Sequence, residues 1–479
     1  MSNMRAMGMV VMAALLVVGC GKKDQGQNQP KDNAAPAGTQ SAATTDPAAG
    51  APVEAVDYTD LKLGTLEAGD GKPSADTDIW PQFRGLNRDN IVANAKNLLR
   101  AWPAEGPKQL WKIEGLSIGY AGPAIFGGKV YFHDYDDAQK LWMVRCVSLA
   151  DGKQIWRWSY KRLIGMNHGF TRSIPVVDEK YVISLDPKCV LHCFDAATGK
   201  RLWAKDLVKE YGVAIPSWYN GQCPLDQGDQ VVIAIAGPKV LMAAFDKATG
   251  KAIWETPNPD PGKFKLAHPS VMPMTLAGRK QYVWCAMLGL VGVDAANGKF
   301  LWHAPWKSEL AVAPSPLPLA DGRIFMTSGY GAGSIMIQLE PQGQGYAPKT
   351  LYTLTDKQFN SECHTPILWQ DHLFAIDNVR TIGQFTCLDL DGKIVWQNTP
   401  NKDGFGLGSF LLADGMFFVL EGDTGVLRLI EASTKEYKEL AVTDKVLSGR
   451  DVWAPMALAN GKLVLRDANK MVCIEVGQP

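Results

Sequence analysis

A turn of eight or nine residues recurs along this chain, and it constrains the fold more than any other feature of the sequence. It reads DAATGKRLW at residues 195–203, and related stretches occur at 148–156, 246–254, 294–302 and 389–396. Asp and Thr side chains can hydrogen-bond the local backbone, and Gly accepts the positive φ of a hairpin turn. The Trp that ends each stretch would lie on the returning strand as a large buried anchor. Each copy therefore predicts a β-hairpin.

The spacing of the turns predicts how many such units the chain contains. A triplet that ends in Asp, Glu or Ser recurs along the chain, and its last residue stands at positions 148, 195, 246, 294, 340, 389, 431 and 475. In seven of the eight units a Pro stands just before an apolar run, at about the same distance from the triplet. In the seventh unit along the chain, Phe410 occupies the position of this Pro. Proline suits the edge strand that lines a propeller's channel. Units of roughly 40 to 50 residues match the period of propeller blades. The sequence therefore predicts an all-β, eight-bladed β-propeller over residues 77–479.

Six tryptophans occupy the anchor position of the repeat: Trp111, Trp156, Trp203, Trp254, Trp302 and Trp396. The stretch around Trp111 resembles the outer half of a blade without its inner half, whereas residues 457–476 supply inner strands and then stop. We expect the strand of Trp111 to complete the last blade. The N- and C-terminal strands would then close the ring and remove its open edges.

The first twenty residues read as a lipoprotein signal peptide. Arg5 precedes an apolar run at 7–18, which is too short to span a membrane, and the ending LVVGC resembles the bacterial lipobox. We expect Cys20 to be lipidated, the alternative being an ordinary signal peptide with an incidental Cys. Gly21 resembles the residue found in lipoproteins sorted to the outer membrane. These features predict an outer-membrane lipoprotein that faces the periplasm of the cell envelope and contacts the membrane through its lipid alone.

Residues 21–76 are rich in Ala, Gly, Pro, Gln, Thr, Asp and Lys, and they contain few large apolar side chains. Such a segment buries too little surface to offset its chain entropy. We expect a disordered tether, with a binding tail as the alternative. The whole chain has 49 basic and 49 acidic residues, hence no formal net charge, which argues against nucleic acid as a partner.

The repeated D-x-x-T-G-K-x-x-W turn resembles the repeat of the pyrroloquinoline-quinone (PQQ) type of β-propeller. The opening WPQFRGLNRD at residues 80–89 resembles the WPQWRGPxRDG start of many secreted bacterial propellers of this type. We expect Trp80 and Phe83 to pack against the ring, with Arg84 paired nearby, and a binding role for this opening is the alternative. This family includes PQQ-dependent alcohol dehydrogenases, whose propellers have eight blades, and BamB, the lipoprotein of the outer-membrane protein assembly machinery. The resemblance implies a fold more strongly than a function.

The cysteines bear on whether the resemblance extends to the cofactor. The dehydrogenases resemble one another in a disulfide between adjacent cysteines, a Trp floor under the quinone, and calcium held by Glu, Asn and Asp. None of the nine cysteines in this chain are adjacent. We therefore expect no cofactor, with PQQ and calcium as the alternative. Four cysteines share one small apolar position of the repeat, namely Cys146, Cys193, Cys387 and Cys473, which predicts free thiols packed in a core. No paired Cys/His spacing indicates zinc, and no metal site is predicted.

Loops that lead into the inner strands converge on one mouth of a propeller's channel. In this chain they carry the candidate ligand-binding residues Tyr120, Arg172, His268, Glu362, His364, Arg450 and Asp451, together with Trp218, Gln222 and Trp453. Such a mouth can bind an anion, a sugar or a metal, or support acid–base chemistry. The alternative is a water-filled channel that tolerates polar residues, with Arg450 and Asp451 forming a structural ion pair.

The sequence thus predicts a non-enzymatic, lipid-anchored scaffold in the periplasm. It would present exposed loops or strand edges to a protein partner of the cell envelope, and the resemblance to BamB names the outer-membrane β-barrel assembly machinery as a candidate partner. No catalytic residue is assigned. The alternative is a PQQ-dependent dehydrogenase or a small-ligand-binding protein that uses the channel mouth.

Overall fold

A computed structural model describes residues 62–308, 310–379, 383–399, 404–447 and 451–478. The predicted signal peptide, Cys20 and most of the predicted tether lie outside these residues, as does Arg450. None of the helices in the described part of the chain is long and apolar enough to cross a membrane.

Three strands precede the first complete run of four: β1 (Thr65–Ala68), β2 (Ile91–Val92) and β3 (Gln109–Ile113). Blade 1 then contains β4 (Ala124–Phe126), β5 (Lys129–Asp136), β6 (Leu141–Ser148) and β7 (Gln154–Lys161). Blade 2 contains β8 (Val176–Val177), β9 (Tyr181–Leu185), β10 (Val190–Asp195) and β11 (Arg201–Asp206), and the short helix α1 (Leu207–Tyr211) follows it. Blade 3 contains β12 (Leu225–Gln227), β13 (Gln230–Ala234), β14 (Val240–Asp246) and β15 (Ala252–Pro257). Blade 4 contains β16 (Met272–Leu276), β17 (Arg279–Ala286), β18 (Gly289–Asp294) and β19 (Phe300–Ala304).

The second half of the ring repeats this order. Blade 5 contains β20 (Leu317–Pro318), β21 (Arg323–Ser328), β22 (Gly333–Gln342) and β23 (Gly345–Leu354). Blade 6 contains β24 (Ile367–Trp369), β25 (His372–Asp377), β26 (Gln384–Asp389) and β27 (Ile394–Gln397). Blade 7 contains β28 (Phe410–Ala413), β29 (Met416–Leu420), β30 (Val426–Glu431) and β31 (Glu439–Lys445). Blade 8 contains β32 (Ala457–Ala459), β33 (Lys462–Arg466) and β34 (Met471–Glu475), and β3 is its outermost strand.

These strands form eight sheets, which are antiparallel except for the parallel pair of β2 and β28, so the predicted eight-bladed propeller is confirmed. The first strands of blades 8, 1, 2 and 3 contact one another in turn, as expected for strands around a central axis. The predicted closure is also confirmed, because β3 pairs with β34 and places Trp111 opposite Cys473. Both ends of the repeat region therefore meet in one blade.

The anchor tryptophans join neighbouring blades. Trp203 of blade 2 packs on Gly250 in the turn of blade 3 and donates its indole N–H to the backbone carbonyl of Lys247 at 2.9 Å. Trp111, Trp156 and Trp254 pack in the same way on Gly152, Gly199 and Gly298 of the next blade. All six predicted anchors are buried. The repeat therefore encodes the contact between blades as well as the hairpin.

The cysteines of the repeat face these tryptophans. Cys146, Cys193, Cys387 and Cys473 are the cross-strand partners of Trp156, Trp203, Trp396 and Trp111. Each of the four is buried and free, as predicted. A small side chain is required because the indole ring occupies the space beside it; at the equivalent Gly292, a Cβ would lie 2.0 Å from the Trp302 ring.

The structure differs from the sequence interpretation at the end of the predicted tether. Residues 62–76 were assigned to the tether, but β1 (Thr65–Ala68) pairs with β7 as a fifth strand of blade 1. Glu67 also accepts two hydrogen bonds from Arg157 on that strand. The sequence of β1 does not predict a strand, because β1 is short and has no regular alternation of apolar and polar residues. It is stabilised mainly by pairing with β7 at the edge of blade 1.

Candidate functional site

A segment that precedes the repeats occupies the central channel. We refer to residues 80–92 as the crossing segment. Its backbone joins the inner strands of blades 1, 2 and 7 through the pairs Trp80–Ile125, Pro81–Val177 and Ile91–Leu412. Trp80 is buried and Phe83 packs against the core, as predicted. The segment therefore crosses between inner strands on different sides of the ring.

Two buried arginines of the crossing segment extend to other blades. Arg84 donates to the carbonyls of Thr365 and Pro366, which precede the inner strand of blade 6. Arg88 donates to the carbonyls of Cys223 and Pro224, which precede the inner strand of blade 3. Burial lowers the pKa of Arg84 to about 9 and that of Arg88 to about 10. Both values lie above neutral pH, so both side chains carry charge inside the protein.

A cavity of about 440 Å³ opens above the crossing segment. Its floor includes Phe83, Arg84 and Asn90. Its wall comes from the loops that lead into the inner strands, which we call the mouth loops, and from one turn of blade 5. Five predicted site residues lie on this wall, namely Tyr120, Arg172, His268, Glu362 and His364, with Trp218 and Trp453 beside them. The structure thus brings together side chains from loops spread over about 330 residues of sequence, from 120 to 453.

Arg172 is held by its own loop. Its guanidinium donates to the carbonyls of Asn167 at 2.6 Å, His168 at 3.1 Å and Gly169 at 3.4 Å, and it lies 5.9 Å from the centre of the Tyr120 ring. Burial lowers its pKa to about 10, so the side chain is cationic at neutral pH. These bonds fix the direction of the charge before any ligand arrives.

Two of the three histidines in the lining, His268 and His364, have pKa values lowered by burial and are neutral at neutral pH. Burial, and then the nearby charge of Arg172, lower the pKa of His268 to about 4. The Nδ1 atom of His268 lies against Gly221 and has no hydrogen-bond partner among the described residues. His364 bonds through Nε2 to the carbonyl of Leu407 at 2.8 Å, and burial lowers its pKa as well. Each ring can therefore take part in hydrogen bonding without contributing charge.

Aromatic side chains form much of the remaining wall. The rings of Tyr120 and Trp453 stack with centroids 5.2 Å apart at an interplanar angle of 27°. Phe410 meets His364 edge-to-face at 5.9 Å. Glu362 interacts with the hydroxyl of Tyr330, which helps to raise the pKa of that phenol after the larger effect of burial. The cavity thus combines cations with flat apolar surfaces.

Two of the predicted mouth residues that the structure describes, Gln222 and Asp451, are absent from the lining of this cavity. Asp451 is absent from the cavity lining and lies near Asp423, whose pKa is raised by burial and then by the Asp451 charge. Gln222 is buried and forms a two-way hydrogen-bonded pair with the backbone of Ala234. Arg450 lies outside the described residues, so its predicted ion pair with Asp451 stays a prediction.

Several lining residues escaped the sequence analysis. Phe83, Arg84 and Asn90 form the floor, whereas the sequence favours packing for the opening motif, with binding only as the alternative. Leu310 and Tyr330 lie at the rim and are about half exposed, at 49% and 45%. Leu163, Met166 and Ile215 on two other mouth loops are also exposed, at 45%, 53% and 40%. We refer to these five side chains as the apolar rim. An exposed Leu or Met gives no sequence signal, because single surface apolar residues are common.

The donor atoms of the cavity do not suit a calcium-bound quinone. Calcium takes six to eight oxygen ligands in proteins. Within the described part of the chain, Glu362 supplies the only carboxylate of the lining. The same residues contain no group of three or more His, Cys, Asp and Glu side chains arranged to hold a metal ion. The cysteines of the lining, Cys223 and Cys363, are both free.

Solved structures with a similar fold include proteins of two kinds. BamB from Moraxella catarrhalis aligns with a TM-score of 0.53 at 13% identity, over 77% of this chain and 99% of that protein. Quinohemoprotein alcohol dehydrogenase from Comamonas testosteroni aligns with a TM-score of 0.55 at 12% identity, over 88% of this chain and 83% of the enzyme. The quinohemoprotein alcohol dehydrogenase ADHIIG from Pseudomonas putida HK5 also aligns with a TM-score of 0.55 at 12% identity, over 86% of this chain and 83% of the enzyme. At these identities the likeness establishes the fold alone.

No curated protein sequence matches this chain significantly. The family model described as outer membrane protein assembly factor BamB, built on PQQ-like repeats, matches residues 142–398. The matched region runs from β6 in blade 1 to the end of blade 6 and includes more than half of the sequence. This chain therefore belongs to the family of PQQ-like β-propellers that is named after the outer membrane protein assembly factor BamB.

Proposed function

We propose that this chain is a non-enzymatic scaffold of the cell envelope that binds a protein partner with the face of the propeller that carries the mouth loops. The apolar rim supports this proposal most strongly. Leu310 and Tyr330 line the cavity, and Leu163, Met166 and Ile215 lie on mouth loops at the same end of the ring; all five are 40–53% exposed. Exposed apolar groups clustered around a concave centre are typical of protein interaction sites.

The mouth loops are built for rigid display. Asn167 donates to the carbonyl of Ser217 at 2.6 Å, which ties the loop of Met166 to the loop of Ile215. Arg172 secures the loop of Met166 from within, and His364 ties the mouth loop of blade 6 to that of blade 7 through the carbonyl of Leu407. A binding surface that is already ordered loses less conformational entropy when it binds. The loops can therefore recognise a partner without rearranging.

The family supplies the class of partner. Its description names an outer membrane protein assembly factor, and we extend that role to this chain. The partner would be a protein of the outer-membrane β-barrel assembly machinery. The lipidated Cys20 would attach the scaffold to the outer membrane, on the periplasmic side, through the predicted tether.

Site-specific photo-crosslinking in the native host tests this proposal. A photoreactive amino acid is placed at Met166 or Leu310 on the apolar rim, and in control strains at Leu86, which is 59% exposed away from the rim, or at Ile253 on an outer strand. We expect the rim positions to crosslink to one outer-membrane assembly protein, identified by mass spectrometry. Met166→Asp should weaken this crosslink by about tenfold, because a charge would be buried at the interface. Crosslinks from the control positions alone would contradict the proposal.

A calorimetric titration examines the alternative enzyme function. PQQ with Ca²⁺ is titrated into the purified full chain. We expect no saturable heat, because the cavity offers one described carboxylate where calcium needs several oxygen ligands. One-to-one binding that is lost in His364→Ala would instead favour a quinoprotein.

A further inference from the structure

We infer that the cavity inside the apolar rim receives an acidic side chain, Asp or Glu, carried on an apolar segment of the partner protein. This inference rests on the proposed function and adds the chemistry of the partner to it. It follows from the charges of the cavity, from its shape and from the surface around it.

The charges of the cavity are unbalanced. Arg84 lies in the floor and Arg172 in the wall, and backbone carbonyls accept the hydrogen bonds of both guanidinium groups. Neither arginine has a carboxylate within ion-pair distance among the described residues. The single carboxylate described in the lining, Glu362, interacts with Tyr330. Among the described residues, the lining holds two guanidinium groups and one carboxylate. The nearby charge of Asp89 offsets part of the Arg84 charge, whereas no described carboxylate acts on Arg172 in this way, so a visiting anion would balance mainly the charge of Arg172.

Burial makes this imbalance costly. Carbonyl oxygens satisfy the N–H groups of a guanidinium but do not neutralise its charge, and an uncompensated charge in a protein interior is unfavourable. The lowered pKa values of Arg84 and Arg172 have burial as their largest cause. A carboxylate that enters the cavity would meet a positively charged site that is already oriented. The neutral ring of His268 can add a hydrogen bond to that carboxylate.

Shape and surroundings favour a side chain of a protein over a free anion. Residues of the crossing segment form the floor of the cavity, and about 440 Å³ is enough for one or two side chains. Tyr120, Trp453 and Phe410 provide flat apolar walls around the cations. Leu310 and Tyr330 of the apolar rim line the opening, and the other rim residues lie on neighbouring mouth loops, where the residues that flank an inserted acid would lie. A segment with an acidic residue between apolar ones would match this arrangement, with the acid at the arginines and the apolar residues at the aromatic walls and the apolar rim.

Peptide display on the purified full chain tests this inference. A library of random peptides is selected on the wild-type protein, and the enriched peptides are measured by fluorescence anisotropy. We expect the enriched peptides to contain Asp or Glu flanked by aromatic or aliphatic residues. Replacing that acid with its amide should weaken binding by about tenfold or more, since a charge-assisted hydrogen bond is replaced by a weaker neutral one.

Three variants separate charge from loop structure. Arg172→Gln should weaken peptide binding about as much as the amide peptide does. Arg172→Lys keeps the charge and should restore part of the affinity, whereas a purely structural role in the loop would make both variants equally weak. Arg323→Gln removes an arginine that pairs with Asp321 away from the mouth, and it should leave binding unchanged.

Four outcomes would overturn the inference: no enriched peptides, enriched peptides without an acid, equal binding to Arg172→Gln, or equal affinity for free indole-3-acetate. The last result would indicate a site for small aromatic carboxylates. The proposed function is judged separately, because crosslinking from Met166 can persist in an Arg172→Gln strain. Crosslinking that persists in this strain, together with unchanged peptide binding, would support the proposed scaffold function and contradict only the inference that the cavity receives an acidic side chain.

Discussion

Arg84 shows how one polar side chain can determine the form of the channel. Its guanidinium donates to four carbonyls, those of Arg88, Asp89, Thr365 and Pro366, and its backbone has a left-handed φ of 63°. Each bond replaces water that the buried carbonyl would otherwise need. The side chain thus links the crossing segment to blade 6 and forms part of the cavity floor.

Replacing Arg84 should therefore destabilise the whole protein. Arg84→Ala leaves four carbonyls without this donor and creates a void. We expect the free energy of unfolding, measured by urea denaturation of the full chain, to fall by about 3–5 kcal/mol. The control is Arg100→Ala, an arginine 54% exposed in the same N-terminal region and paired with Asp414, which should cost less than about 1 kcal/mol. Equal costs for the two variants would mean that the buried bonds of Arg84 add little stability.

The chemistry of the mouth could be predicted only in part at the level of residues. Tyr120, Arg172, His268, Glu362 and His364 were recognised because the periodic prolines place their loops at one end of the ring. The floor was missed because Phe83 and Arg84 belong to a segment outside the repeat. Nothing in its composition indicates that it enters the channel.

At the level of elements, the turn glycines act as docking positions for the next tryptophan. Gly250 has a φ of +68°, and a Cβ at this position would lie 2.8 Å from the Trp203 ring. Gly228 has nearly the same φ, +70°, but a Cβ there would meet nothing within 4 Å. Both glycines adopt a left-handed φ, but only Gly250 lies against a tryptophan ring. Substitutions at the two positions can therefore be compared directly.

This pair allows the contact between blades to be measured. Both Gly→Ala variants carry the backbone cost of a left-handed residue, about 1 kcal/mol. Only Gly250→Ala also pushes the indole away, so we expect it to cost about 1–3 kcal/mol more in urea denaturation. An equal loss of stability in both variants would show that the Trp–Gly contact does not hold the blades together.

The repeat predicted the strands well but not the differences between blades. Each hairpin has its own turn residues, and these fix its strands locally. Blade 5 departs from this rule, because its outer hairpin, β22 and β23, is longer and lacks the docking glycine. Trp302 of blade 4 bonds instead to Gln281 of its own blade at 2.8 Å. Whether a tryptophan reaches the next blade depends on the neighbour's turn, so one repeat read alone does not reveal it.

At the level of the whole molecule, ring closure depends on strands from opposite ends of the chain. β3 and β34 are separated by more than 350 residues in sequence, yet they pair along the outer part of blade 8. Trp111 on β3 also packs on Gly152 and donates to the carbonyl of Leu149 at 2.9 Å, which joins blade 8 to blade 1. One side chain therefore supports both the closing blade and its junction with the first.

Two tryptophan variants separate closure from ordinary packing. Trp111→Ala and Trp203→Ala remove the same contacts, an indole on a turn glycine and a 2.9 Å hydrogen bond to a carbonyl, and each should cost about 3–5 kcal/mol. Trp203 lies on a strand whose blade is continuous in sequence, whereas Trp111 lies on the strand that closes the ring. In hydrogen exchange of the full chain, we expect Trp111→Ala to speed exchange in β3 and β34 well before global unfolding. Trp203→Ala should not do so. If exchange in β34 responds equally to both variants, the ring unfolds as one unit and its closing blade is no weaker than the others.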